Sequence, residues 1–395
     1  MTREKRNVLV LSACQVLFGT GRSLLIATAP LIAYGIAENK GLATLPTSLV
    51  IIGTAVMTIP ASLFMRRVGR RVGFIFGSFI GVVSGLLSAY AVFISDFWLF
   101  SLSTFLFGFF SGFAQLYRFA AADVASEDFK SKAISLVLAG GVVAGFLGPE
   151  SAKLGQNLVT STPFVGAYLI LTATTFASIF VLLFLDIPPL TSAERAGPRR
   201  PIGTIMMQPV FLAAALAAMI SQGVMNFLMT ASPIAMATCG LPFSDTAFVI
   251  EWHIFGMFAP GFFTGHLVKK FGEVKIIICG LFLQFVCVLV ALEGIEVAHF
   301  WLSMFLLGVG WNFAFTAGTS LMTTAYRTSE RAKTQGAMNF LIYGFVSIMS
   351  LSSGALVHYF GWSAVNFGAL PFLVIAVIAT LWYAISQNQG EVRST

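Results

Sequence analysis

A repeat relates the two halves of this chain. A shift of 203 residues aligns them without a gap and carries Pro30 onto Pro233 and Gly69 onto Gly272. The other matches at this shift are Gly77 with Gly280, Phe97-Trp98-Leu99 with Phe300-Trp301-Leu302, Ser126, Glu127 and Lys130 with Ser329, Glu330 and Lys333, and Gly141 with Gly344. Matches of scarce and polar residues at one shift are not expected by chance. A duplicated apolar chain predicts a transporter that binds its substrate between two like halves.

The composition requires a lipid surface. Hydrophobic residues make up 57% of the chain and charged residues 10%, whereas a soluble domain has about 25% charged residues. A membrane-spanning helix needs about 20 mostly apolar residues. Twelve stretches qualify: 8–37, 44–65, 72–95, 97–121, 132–156, 163–185, 207–236, 246–268, 274–292, 298–322, 334–358 and 363–386. The predicted fold is therefore all-α and integral to the membrane, with twelve transmembrane helices and no room for a soluble domain.

The distribution of lysine and arginine predicts the orientation. With a cytoplasmic N-terminus, nearly all basic residues fall on the cytoplasmic side, and the opposite side receives only Lys40 and Lys153. We therefore expect both termini in the cytoplasm and a multi-pass protein of the bacterial cytoplasmic (inner) membrane. The net charge of +7 then reports topology and contact with anionic lipid, and nucleic-acid binding is a poor alternative.

A cytoplasmic linker divides the chain. Residues 187–206 are rich in proline and charge, between a six-helix bundle at 1–186 and a second at 207–395. Because six is even, each bundle begins and ends on the same side, so the repeats are parallel.

These features resemble the major facilitator superfamily over essentially the whole chain. The family's loop between helices 2 and 3 carries an acid, basic residues and a glycine. Here Gly69 and Gly272 match the glycine, but Arg66 and Lys269 occupy the position of the acid. The resemblance implies a cytoplasmic gate, in which these basic loops meet acidic residues on neighbouring loops. The gate residues are Arg66, Gly69, Arg70, Asp123, Glu127, Lys269, Gly272 and Glu330. Ordinary positive-inside anchoring is the alternative.

The resemblance also implies that helices 1, 4, 7 and 10 line a central cavity. A charge at membrane depth is costly and indicates function, and Arg22 lies near the middle of helix 1. The alternative for Arg22 is an ion pair that only fixes helix packing. The candidate substrate-binding residues are Arg22, Gln115, Arg118, Gln222, Asn226, Trp311, Asn312, Asn339 and Tyr343. Gln115 and Arg118 are expected on one face of a continuous helix 4.

Helices 5 and 8 carry the acids within the membrane. Helix 5 is rich in glycine and contains Gly148-Pro149, which resembles a motif of proton-coupled exporters in the superfamily. Since helices 5 and 8 face each other in this family, we expect Glu251 to approach Lys153 or Glu150 when the outer side is shut. These three residues are the predicted outer gate and proton-coupling site. A static salt bridge is the alternative.

The predicted function is secondary active transport by alternating access. No phosphate-binding loop and no metal-ligand spacing occurs, so we predict neither an enzyme nor a cofactor, and the proton gradient as the drive. The expected partners are a small-molecule substrate, protons and membrane lipid, and the expected assembly is a monomer. Efflux of an amphipathic or aromatic compound is favoured, because helix 5 is glycine-rich and the spans are rich in Phe and Met. The alternatives are a carrier of an anionic metabolite or siderophore-like carboxylate anchored by Arg22, a non-transporting receptor, and a lipid-modifying membrane enzyme.

Overall fold

The computed structural model of the protein describes residues 2–187, 200–327 and 330–392, and these residues contain no β-strand. The helices of the first half are α1 (Arg3–Ile36), α2 (Leu45–Val68), α3 (Arg70–Phe93), α4 (Phe97–Ala114), α5 (Tyr117–Val124), α6 (Glu127–Gln156) and α7 (Val165–Leu182). Those of the second half are α8 (Ile202–Met206), α9 (Pro209–Thr238), α10 (Phe243–Phe258), α11 (Gly261–Phe271), α12 (Glu273–Glu293), α13 (Val297–Met322) and α14 (Arg331–Val392).

The helices assemble into the twelve predicted spans. Nine described helices are long and apolar enough to cross a membrane, and α10 with α11 forms a tenth span bent by 41°. The long α14 is two spans, because Gly361 has a φ of 79° between them. The glycine-rich α6 completes the twelve.

Two predicted spans are interrupted rather than continuous. The span predicted at 97–121 is broken between α4 and α5, where the N–H of Leu116 bonds to the carbonyl of Phe113 in a tightened turn. The span predicted at 246–268 breaks before Gly261, because Pro260 has no N–H to continue the helix.

The repeat is visible in the backbone. Gly69 ends α2 with φ 87° and ψ 161°, and Gly272 ends α11 with φ 84° and ψ 156°. Both positions need glycine, because this φ is unfavourable for a residue with a Cβ. Two residues aligned by a sequence shift thus have the same unusual conformation in equivalent loops.

Each half has its own hydrophobic core. One cluster of buried side chains runs from Val8 to Leu185, and the other runs from Ile205 to Tyr383 with Ala27 and Ala43 added from the first half. Large apolar side chains such as Phe184 and Phe360 are exposed on the outside, as expected for a protein surrounded by lipid.

We call the end of the bundle where α1 begins the basic end, and the other the opposite end. Arg3 and Arg6 pair with Asp186 after α7 at 2.8 Å and 3.3 Å, and Asn7 donates to the Asp186 carbonyl at 2.6 Å. These contacts and the Thr2 cap explain why α1 begins five residues before the predicted residue 8.

Candidate functional site

The two halves are joined at the opposite end. Helix α6 packs against α10, and α2 packs against α14. The polar and ring contacts that the described residues make between the halves lie towards this end: Ser48 with Ser350, Thr44 with Leu351 and Gly354, Asn39 with Tyr359, Tyr34 with His358, Lys153 with Glu251, Phe146 with Phe255, and Phe164 with Phe243. In this conformation these contacts hold the two halves together at the opposite end.

The glycines of α6 form two different faces. Along one face, Gly140, Ala144 and Gly148 touch α1 closely enough that a Cβ on Gly148 would lie 2.4 Å from the Cβ of Ser23. Along the other face, Gly141 and Gly145 face α10, where a Cβ on Gly145 would lie 2.6 Å from Cγ2 of Ile254. Helix α6 therefore packs against α1 within its own half and against α10 across the halves.

Arg22 lies on the face of α1 that looks towards the second half. Its neighbours Gly21 and Ser23 are buried, whereas Arg22 is only partly buried. One turn further on, Ile26 packs against the core of the second half. The guanidinium of Arg22 lies within electrostatic range of the Tyr343 hydroxyl on α14. Arg118 on α5 has the same electrostatic neighbour.

A second group surrounds Trp311 on α13. Its indole N–H donates to Oε1 of Gln222 on α9, and its ring stacks on Phe315 with centroids 5.2 Å apart. The ring of Phe258 lies 6.3 Å away and also faces Gly141 of the first half. Gln222 and Trp311 are thus held together beside the interface of the halves, with aromatic surface around them.

Asn312 has a different environment from the one predicted. Its Nδ2 donates to the carbonyl of Met257 at 2.6 Å, and its Oδ1 accepts from the Thr264 hydroxyl at 2.6 Å. Asn312 therefore stabilises the break between α10 and α11, where Pro260 has no N–H to donate to a carbonyl of the preceding turn. This geometry does not agree with a substrate-binding role for Asn312.

The other predicted amide side chains lie in different environments. Asn226 is buried and donates to the carbonyl of Gln222 in its own helix at 2.9 Å, which also argues against a substrate contact. Gln115 is partly buried in the break after α4, and Asn339 is exposed on the first span of α14. Because of that break, Gln115 and Arg118 are not on one continuous helix as predicted.

Three charged residues meet between α6 and α10. Nζ of Lys153 lies 2.6 Å from Oε1 of Glu150 and 3.3 Å from Oε1 of Glu251. The Glu251 side chain is 9% exposed and the Glu150 side chain 59%. This is the contact predicted from sequence, formed in a conformation joined at this end. His253, two residues from Glu251, points elsewhere and bonds to the Met304 carbonyl at 2.7 Å.

The predicted cytoplasmic gate is only partly described. The side chains of Arg66, Asp123 and Glu127 lie outside the described set, Lys269 is exposed, and an Arg70 nitrogen lies 3.8 Å from the Met65 sulfur. Glu330 was expected to meet the basic loops but pairs with Arg200 instead. Arg200 donates to it from Nε at 2.8 Å, from its second guanidinium nitrogen at 2.6 Å and from its backbone N–H at 2.9 Å.

The Glu330 contact predicts a pH-dependent contribution to stability. Hydrogen bonds from the Arg200 guanidinium and from the Arg327 and Arg200 backbone hold the pKa of this carboxyl well below its ordinary value of about 4.5. A lowered folded-state pKa stabilises the protein above the ordinary pKa and loses that effect as the pH falls towards the folded-state pKa. We expect Glu330→Gln to lower the Tm at pH 7, and this deficit to shrink below about pH 4.5.

Thermal unfolding between pH 3.5 and 8 measures this effect. Glu38→Gln removes an exposed carboxyl and serves as the control. A Tm deficit of Glu330→Gln that stays the same down to pH 3.5 would contradict the ionic contribution.

Among the described residues no group of three or more His, Cys, Asp or Glu could hold a metal ion.

Sequence reasoning missed Phe258, Ser48 and Ser350. Ser48 and Ser350 bridge the halves at 2.8 Å but are separated by 302 residues, and phenylalanine occurs 40 times in the chain. Neither type of residue could be recognised by its rarity.

The sequence comparison decides the family. The family model of the Major Facilitator Superfamily matches residues 11–348 and 214–394. The chain belongs to the major facilitator superfamily. This confirms the fold class and a multi-pass protein of the bacterial inner membrane. Its relatives are named transporters rather than enzymes, as predicted.

Two relatives and two solved structures are similar over nearly their full lengths. The chain is 36% identical to the riboflavin transporter RfnT of Brucella anthropi, covering 95% of both chains. It is 26% identical to the uncharacterized MFS-type transporter YddS of Bacillus subtilis, over 96% of this chain and 91% of the relative. A bacterial homologue of the human lysosomal transporter Spinster, inward-facing and occupied, gives a TM-score of 0.70 at 17% identity, covering 96% of each chain. An auto-inhibited POT family peptide transporter gives 0.69 at 14%, covering 97% of each chain.

Proposed function

We propose that this protein transports riboflavin or a related planar heteroaromatic compound across the bacterial inner membrane by alternating access. The observation that carries the proposal is the 36% identity to the riboflavin transporter RfnT from end to end. Riboflavin is amphipathic: it has a flat tricyclic ring and a chain of hydroxyl groups. It fits the compound class favoured by the sequence.

The aromatic group around Trp311 supports this substrate. A flat ring gains from offset or edge contacts with aromatic side chains, and Trp311, Phe258 and Phe315 offer such surfaces close together. The amide of Gln222 fixes the indole in place. A ring that enters between the halves from the basic end would meet this surface.

The charged group between α6 and α10 supports a proton drive. Two carboxylates share the single ammonium of Lys153, so one negative charge is left over in a contact that breaks when the halves separate. Binding a proton there would couple the conformational change to the gradient. With the basic end in the cytoplasm, as the lysine and arginine distribution predicts, the contacts between the halves lie on the side away from the cytoplasm, and an opening between the halves would face the cytoplasm. This is the side from which an exporter loads its substrate.

The direct test measures radiolabelled riboflavin in proteoliposomes that contain the purified protein, with a pH gradient of either sign. Because efflux in exchange for protons is predicted, we expect accumulation in vesicles with an acidic interior. Accumulation with an alkaline interior would overturn efflux and assign symport. Full proton-driven transport by Glu150→Gln/Glu251→Gln would overturn the coupling role, and no movement of riboflavin in either gradient would overturn the substrate.

Binding provides a second test at Trp311. We expect Trp311→Ala to weaken riboflavin binding about tenfold, since it removes the stacking surface, and Trp311→Phe to retain most of it. Quenching of riboflavin fluorescence by the detergent-purified protein measures this, and Trp382→Ala, on the exposed surface of α14, is the control. Equal affinity of the wild type and Trp311→Ala would place the ring elsewhere.

A second candidate is a carrier of an anionic metabolite. Arg22 favours it, because a cation at membrane depth attracts a carboxylate or phosphate. Competition of citrate, phosphate and flavin mononucleotide against riboflavin in the same binding assay separates the candidates. Displacement of riboflavin by citrate or phosphate supports this alternative, and displacement by flavin mononucleotide alone supports the flavin.

A further inference from the structure

Because the other faces of α1 are closely packed, the side chain of Arg22 can extend only towards the interface of the halves. Thr20, Ser23 and Leu24 face Gly148 of α6, and Gly21 faces Leu171 of α7 and Phe107 of α4. Arg22 makes none of these contacts. Ile26, one turn later, packs against the core of the second half. The guanidinium is therefore held at the interface of the halves by close contacts on the other faces of its helix.

Arg22 makes no hydrogen bond or ion pair with any residue in the described ranges 2–187, 200–327 and 330–392. It is only partly buried and lies on the face of α1 that is turned towards the second half. A charge at this depth costs free energy unless a partner compensates it. A costly charge that has no hydrogen-bond or ion-pair partner within the described protein is best explained by a partner that arrives with the substrate.

Tyr343 provides a second group on the other side. It is partly buried on the first span of α14, and its hydroxyl is the electrostatic neighbour of Arg22. A phenol hydroxyl both donates and accepts, whereas a guanidinium donates through a planar fork of N–H groups. The two groups come from different halves, so a ligand that contacts both can hold the halves in one arrangement.

We infer that Arg22 and Tyr343 together read a planar edge of the substrate that carries two adjacent hydrogen-bond acceptors. In a flavin this is the edge with N1 and the C2 carbonyl. The inference rests on the proposed function and adds to it the part of the molecule that is recognised and the residues that recognise it. The fork of the guanidinium matches two coplanar acceptors, and a lysine ammonium does not.

The decisive probe is 2-thioriboflavin, in which sulfur, a weak acceptor, replaces the C2 oxygen. We expect the wild type to bind riboflavin about tenfold or more tightly than the thio analogue, because a hydrogen bond from a charged group contributes that much. In Arg22→Met the ratio of the two affinities should fall to about one, and Arg22→Lys should recover only part of it. Fluorescence quenching and competition against riboflavin measure both affinities in detergent.

Stability distinguishes recognition from a packing role. Arg22→Met removes an unpaired charge and should leave the Tm equal or higher, whereas loss of a structural ion pair would lower it. Arg71→Met, the same change at an exposed arginine of the basic end, is the matched control and should alter neither the Tm nor the affinity ratio.

The outcomes separate the inference from the proposed function. An unchanged riboflavin to thioriboflavin ratio in Arg22→Met, with riboflavin still bound, overturns the inference alone. A lowered Tm in Arg22→Met assigns a structural role and also overturns it. If the wild type does not bind riboflavin, the proposed function is overturned. The inferred recognition of the flavin edge by Arg22 and Tyr343 is then overturned as well.

Discussion

Replacing Gly148 with alanine should lower the Tm of the purified protein by several degrees, although alanine favours helix. The added Cβ would lie 2.4 Å from the Cβ of Ser23 and 2.8 Å from the backbone nitrogen of Leu24, and backbone atoms cannot move aside as a side chain can. Overpacking of this kind typically costs about 1–3 kcal/mol. It should also weaken riboflavin binding, because the same turn of α1 carries Arg22.

Gly344 is the matched control for this experiment. It also lies within a span, but a Cβ there would have no atom within 4 Å. Replacing an unconstrained helical glycine with alanine gains roughly 0.5–1 kcal/mol, so Gly344→Ala should keep or raise the Tm. A lowered Tm for Gly148→Ala beside an unchanged or raised Tm for Gly344→Ala is the expected result. A Tm change of the same sign in both variants would contradict the close packing of α6 against α1.

The second large effect is expected on the other face of α6. Gly145→Val should keep α6 and α10 apart and so prevent the halves from joining at the opposite end, because even a Cβ there would meet the side chain of Ile254 at 2.6 Å. Transport should fall at least tenfold. Ile254→Ala removes the obstructing atoms, so Gly145→Val/Ile254→Ala should recover most of the lost transport.

A cross-link reports this effect directly. Ser48 and Ser350 lie 2.8 Å apart across the halves, so cysteines at both positions should form a disulfide when the opposite end is closed. The protein has four native cysteines, which must first be replaced. We expect efficient cross-linking in the parent, little with Gly145→Val, and recovery in the double variant. Efficient cross-linking in Gly145→Val would show that the valine does not prevent closure.

Much of the fold follows from the sequence because its causes are local. Apolar length predicts each span, and the shared positive φ of Gly69 and Gly272 follows from one tight loop occurring twice. The Lys153–Glu251 contact could be predicted because acids are rare inside the membrane. The family also places the predicted helices 5 and 8, which are α6 and α10 in the structure, face to face.

Other features depend on partners far away in the chain. Nothing near Asn312 indicates that it bonds to Met257, 55 residues earlier. Nor does the loop of Glu330 show that its partner is Arg200, 130 residues away. Polar residues at membrane depth can bind substrate or hold helices together, and the sequence does not distinguish these uses. For this reason the sequence did not reveal the bonds that Asn226, Asn312 and Glu330 make within the protein. The substrate-binding roles of Arg22, Arg118 and Tyr343 stay predictions.

Beside the close packing of Gly145 against Ile254, the polar and ring contacts that join the halves are small. They consist of hydroxyl pairs such as Ser48 with Ser350, single rings such as Phe146 against Phe255, and one shared ammonium. Each such polar contact contributes only about 1 kcal/mol net, so we expect these contacts to add only modestly to the preference for this arrangement of the halves. A ligand or proton with a modest preference for one arrangement then shifts the populations between them. In the proposed alternating access, such weak contacts would allow the cargo itself to influence which side of the membrane is open.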